Sequence, residues 1–114
     1  MTEPKKFVIN EDISIDQLLH SGFINYDRFY VYKKCLYYYD KTKNPYITFT
    51  MDITFDNNNK PMMIYDIICD DGYSYPAFYD PEIRHDNTVY EKTVIEFNKI
   101  IDKLVANKIL KIGE

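Results

Sequence analysis

Two cysteines and two histidines are the side chains in this sequence suited to nucleophilic or soft-metal chemistry, and their spacing supports neither. Nucleophilic catalysis needs a nucleophile, a base and an orienting group in contact. Only Cys35 or Cys69 with His85 and Asp86 could supply that set. Both cysteines fall within runs of β-forming residues, where a thiol is half-buried and inert. His85, between Arg84 and Asp86, reads as part of a solvated loop. His20 ends a helical stretch, where the negative pole of the helix dipole favours it. No HxH, HxxxH or CxxC spacing occurs, so no structural zinc site is expected.

The aspartates fare no better as chemistry. Asp56-Asn57-Asn58-Asn59 resembles the opening of a calcium-binding loop, but Pro61 stands where the sharp turn requires glycine. Ile67 occupies the place of the bidentate acid, so the segment reads as a plain hairpin turn. Gly22, Gly72 and Gly113 are isolated, which excludes a P-loop or a dinucleotide fingerprint. Asp52 and Asp66 lie mid-strand in neighbouring segments, and like charges that close can raise one pKa. A shared solvated face is the plainer reading of them. The expectation is a non-enzymatic chain with no catalytic residue, no metal and no cofactor.

Binding is the remaining class, and two features bear on it. The chain has 12 tyrosines and no tryptophan, and tyrosine suits half-exposed strands and contact surfaces. Part of this enrichment is compositional: Ile, Asn, Lys and Asp are also abundant and alanine is scarce, the skew of an AT-rich coding sequence. Charge is also unevenly placed. Residues 28–49 hold five basic residues against one acid, whereas residues 50–86 hold eight acids against two basic residues.

The basic window interleaves rings and cations at Arg28, Tyr30, Tyr32, Lys33, Lys34 and Tyr38, the ingredients of a single-strand nucleic-acid platform. The whole chain is nevertheless acidic, with a net charge of −4, against the basic field that nucleic-acid binders carry. The acidic window suits a basic protein surface better. Its candidate contacts are Asp66, Asp70, Asp71, Tyr73, Tyr75, Tyr79, Asp80, Glu82 and Asp86.

Positioning these groups falls to a single domain over residues 1–114, long enough to bury its own core. Ser14 and Gln17 form a capping box before Ile15, Leu18 and Leu19, with Gly22 as terminator, so a helix is expected at about 15–21. Phe7-Val8-Ile9 reads as an extended lead-in. Phe29 to Tyr39 is rich in β-formers but apolar on both faces, and Lys33-Lys34 is read as a break between two short strands. From Tyr46 to Phe55 the alternation is strict: Ile47, Phe49, Met51, Ile53 and Phe55 one way, Thr48, Thr50, Asp52 and Thr54 the other.

Met62 to Cys69 returns as its hairpin partner, symmetric about residue 58, and Tyr73 to Tyr79 is read as an edge strand because it contains Pro76. Asp80-Pro81 and Arg84 to Asn87 form a loop. A long helix follows over about 88–106, capped by Asp86 or Asn87, with Tyr90, Val94, Phe97, Ile101 and Leu104 in one stripe. Ile109 to Ile112 reads as a short strand or a packed tail.

The fold class is therefore α+β: an antiparallel meander of four to five strands, with a short N-terminal and a long C-terminal helix on one face. No apolar run approaches the roughly 18 residues that span a bilayer. The first residues lack a secretory pattern, and two cysteines are too few for a disulfide framework, so a cytoplasmic, reduced protein is expected. Size and composition resemble those of small accessory proteins of phages and mobile elements. The function expected is a protein-interaction module, one that inhibits a basic, nucleic-acid-handling partner by covering its surface.

Overall fold

The computed structural model describes residues 3–39, 44–80 and 87–113. In chain order the elements are β1 (Phe7–Ile9), α1 (Ile15–His20), β2 (Ile24–Tyr26), β3 (Phe29–Tyr39), β4 (Asn44–Phe55), β5 (Pro61–Cys69), α2 (Pro76–Tyr79), α3 (Asn87–Ala106) and β6 (Leu110–Ile112). Strands β2-β3-β4-β5 form one antiparallel sheet in sequence order, and β1 pairs with β6 in a second. The α+β class and the helix-on-sheet arrangement are as the sequence indicates.

Burial follows the periodicities. On β4, Ile47, Phe49, Met51 and Ile53 are fully enclosed, with Phe55 partly buried beside them. The stripe of α3, from Tyr90 to Leu104 through Val94, Phe97 and Ile101, is buried in the same core. Phe97 meets Phe49 edge-on, with ring centroids 5.7 Å apart at 74°, and Phe78 at 4.9 Å and 65°. Edge-to-face packing suits the quadrupoles of the rings.

Local chemistry fixes the ends of the elements. The Ser14–Gln17 capping box forms, with Gln17 N–H donating to Ser14 Oγ at 3.2 Å and Ser14 N–H to Gln17 Oε1 at 2.7 Å. At the other end of α1, Gly22 has φ +101, and its N–H bonds the Leu19 carbonyl while Phe23 N–H bonds that of Leu18. That left-handed turn is what glycine supplies after a helix. The β4–β5 hairpin has the symmetric register, pairing Asp52 with Ile64 and Thr50 with Asp66. Asp56 Oδ1 holds its turn by accepting from Asn58 N–H and Lys60 N–H.

Two segments differ from the sequence reading. β3 is one continuous strand through Lys33-Lys34, both exposed, and its irregularity comes at residues 35–38, where the register against β4 shifts twice and Leu36 is buried. Adjacent lysines, one on each face, reach solvent without interrupting a strand. Tyr73 to Tyr79 is not a strand. After a single bridge between Ile68 and Ser74, the chain turns into α2 with Pro76 at its start, where a missing N–H is harmless.

The lead-in at residues 7–9 and the tail at 110–112 are partners, pairing Phe7 with Ile112 and Ile9 with Leu110. Asp86, one of the two caps expected for α3, and the loop at 81–86 lie outside the described residues.

Candidate functional site

One face of the four-stranded sheet carries α3; the other carries no helix among the described residues. Antiparallel partners share a face, so the register lays out that open surface. Ile24, Val31, Asp52 and Ile64 form one cross-strand row, Lys33, Thr50 and Asp66 a second, and Cys35, Thr48 and Ile68 a third. Tyr26 opposite Phe29, and Thr54 opposite Met62, complete the face. Ile24, Tyr26, Phe29 and Met62 are exposed, and Ile64 is 76% exposed. A groove of ≈ 560 Å³ runs along this face between Tyr26, Phe29 and Val31 on one side and Thr48, Thr50 and Ile68 on the other.

The face leads at one end into the acidic candidates. Asp66 is half-buried and already engaged: the Tyr79 hydroxyl donates to its Oδ1 at 2.5 Å, and the Ser74 hydroxyl lies 2.8 and 3.0 Å from its two oxygens. Ile67 N–H donates to the same Oδ1 and to Tyr79 Oη. Asp66 therefore clasps α2 to the edge of β5 and is neither a free contact nor a free acid. Burial, then the bond to Asp66, holds the Tyr79 hydroxyl well above the usual tyrosine range.

Asp70, Asp71 and Asp80 are exposed. Tyr73 stands 76% exposed beside them, on a turn where Asp71 Oδ1 accepts from Tyr73 N–H. Tyr75 is half-buried at the start of α2, its N–H bonded to Ile67 O at 2.7 Å. Glu82 and Asp86 lie outside the described residues.

The basic candidates separate. Arg28, Lys33, Lys34 and Tyr38 are exposed, but Tyr30 and Tyr32 are core residues at 9% and 5% exposure, opposite Ile53 and Met51. Tyr32 packs on Phe23 at 5.3 Å and Phe49 at 6.1 Å, with Lys103 Nζ over its ring at 5.4 Å. Neither ring can stack on a base in this fold, because β3 turns its even-numbered residues from 30 to 32 toward α3. Lys41 and Lys43 lie outside the described residues.

Cys35 and Cys69 are half-buried free thiols. Burial, with Asp71 and Asp70 nearby, pushes the Cys69 thiol up, away from nucleophilic character. Among the described residues no group of three His, Cys, Asp or Glu side chains could hold a metal ion, and no helix is long and apolar enough to cross a membrane.

The sequence reading missed Ile24, Met62 and Ile64 as surface groups. The signal for Ile64 was present: the symmetric hairpin sets it opposite Asp52, on the face away from Phe49 and Met51.

No protein-family model and no curated protein matches the chain. Among solved structures, it is similar to the crystal structure of a DUF1831 family protein from Lactobacillus plantarum. The two superpose with a TM-score of 0.72 over 99% of this chain and 94% of that one, at 10% identity. At that identity, what the two chains share is the fold.

Proposed function

We propose that this chain is a non-enzymatic protein-interaction module that seats a basic protein surface on the open sheet face and its acidic end, and so blocks that surface. The observation that carries the reading is the bare face itself, where Ile24, Tyr26, Phe29, Met62 and Ile64 lie exposed on one side of one sheet. Clustered apolar exposure of this kind marks contact surfaces more than scattered single residues do. Charge selects the partner: Asp52 lies on the face and Asp70, Asp71 and Asp80 beyond its end, against Lys33 alone on the central rows. Tyr73 and Ile64 act as desolvated anchors, and the rim acids set association rate and specificity.

The test is affinity capture with and without nuclease, repeated with Ile64→Thr, which removes the apolar anchor without setting a like charge opposite Asp52, and with Asp70→Lys combined with Asp71→Lys. Both variants alter exposed positions, so their stability should stay within about 0.5 kcal/mol of the parent. A basic partner held by the parent in the presence of nuclease and lost by both variants supports the reading. Its purified form should associate more slowly with the lysine variant and with a flatter salt dependence. Release by nuclease, or retention by both variants, overturns it.

A further inference from the structure

The sheet has an unequal edge. β3 runs for 11 residues, but β2 pairs only with Phe29, Tyr30 and Val31. Upstream of β2 the chain cannot continue the pairing, because Gly22 and Phe23 spend their N–H groups on the carbonyls of α1. From Tyr32 onward the outer side of β3 has no β partner among the described residues. Tyr26 and Phe29 flank a two-residue turn and form a hydrogen-bonded pair, so the backbones of Phe29 and Val31 face β2. By strand alternation Lys33 and Cys35 turn their N–H and C=O groups the same way, toward a side that no strand occupies among the described residues.

A groove of ≈ 420 Å³ runs between this edge and α3, with Leu36, Tyr38 and Ile95 as apolar lining and Lys34, Lys92 and Glu96 as its charges. Glu96 is paired with Lys99 at 3.1 Å, which leaves the groove basic. Lys33 points to the opposite, open face of the same edge, opposite Thr50. A strand added here meets a lysine on either face.

We propose that the outer edge of β3 accepts an extended acidic segment of a partner protein as a fifth strand of the sheet. Main-chain bonds to Lys33 and Cys35 hold the segment, and its alternate carboxylates meet Lys33 on one face and Lys34 and Lys92 on the other. Lysines on an edge strand blunt pairing with strands that do not carry matching acids, so Lys33-Lys34 both protects the edge and selects an acidic occupant. A second copy docking β3 on β3 would bring the lysine pairs of both chains together, and like charges opposite each other are destabilising.

The probe is a short fluorescent peptide of adjacent glutamate pairs separated by single threonines, so that each face of the strand carries carboxylates, followed by anisotropy and by amide shifts of residues 32–38. Binding should be saturable and weaken with salt. It should fall by about tenfold or more with Lys33→Glu plus Lys34→Glu, both exposed and neutral for folding. Methylating alternate peptide nitrogens on the bonding side should abolish it, whereas Asp70→Lys with Asp71→Lys should leave it intact, which separates this edge from the open-face reading. Equal binding of the matching lysine peptide, survival of the N-methylated peptide, or a parent dimer that the lysine reversals dissociate would each overturn the proposal. So would a single-stranded oligonucleotide that displaces the peptide.

Discussion

Phe97→Ala tests whether α3 is what encloses the sheet. The ring is 1% exposed and is approached by Phe78, Phe49, Phe7 and Tyr65, with centroids at 4.9, 5.7, 6.1 and 6.4 Å. Truncating a buried phenylalanine costs about 3–5 kcal/mol, from lost transfer energy plus the cavity left behind. Two of the four neighbours meet it edge-on, and such pairs add about 0.5–1.5 kcal/mol each beyond area, which places this site toward the upper end.

Against a total stability of about 5–15 kcal/mol, the variant should be severely weakened. Urea unfolding followed by circular dichroism, extrapolated linearly to water, measures the difference. Ile95→Ala on the same helix is the control: it is exposed, and should change stability by no more than about 0.5 kcal/mol. A loss below about 1 kcal/mol at Phe97 would refute the docking of α3 through this ring.

Tyr79→Phe should cost about 1 kcal/mol, a charge-assisted bond discounted for its half-exposed setting, read in the same urea assay. Because the Tyr79 hydroxyl titrates above its ordinary 10.0 in the folded chain, its contribution is complete below about pH 10 and is lost as pH rises beyond. The alkaline decline of melting temperature should therefore be shallower in Tyr79→Phe, and an unchanged slope would remove the clasp from the account. Lys108 closes α3 with φ 64, a conformation that favours glycine, so Lys108→Gly should stabilise the fold by about 1 kcal/mol, visible as a higher melting temperature. Cys35→Ser with Cys69→Ser should retain partner binding, and mass spectrometry of the unreduced parent should find both thiols free.

Where one element repeated a single pattern, the sequence was legible. The strict alternation of β4 and the single stripe of α3 each leave one way to bury their apolar groups, and both are realised. The register of β4 against β5 followed because the turn at residues 56–59 pins it locally. β3 was different. Phe29 to Tyr39 is apolar on both faces, so nothing in the segment said that Tyr30 and Tyr32 turn inward and Phe29 outward. That choice is made by β4, through pairing.

Pro76 was ambiguous between an edge strand and a helix start, and the decision lies in Phe78 reaching Phe97, a contact across the chain. Of the site, the exposure of Asp70 and Asp71 was readable from turn chemistry, whereas Tyr73 was read as the start of a strand. The engagement of Asp66 by Ser74 and Tyr79 was not, because it depends on α2 folding back over β5.

The pairing of β1 with β6 has a consequence for how the chain is made. Asn10 bonds the Lys108 carbonyl across 98 positions of sequence, and Phe7 lies 4.9 Å from Tyr65 and 6.1 Å from Phe97. At about 5–20 residues per second, the ribosome leaves β1 waiting about 5–20 s for its partner. Throughout that interval Phe7 has no complete seat, although α1 and the β2–β3–β4 hairpins need only their own neighbours. Until the last short strand is made, β1 therefore lacks its pairing partner, and Phe7 stays without the full cover it has in the fold.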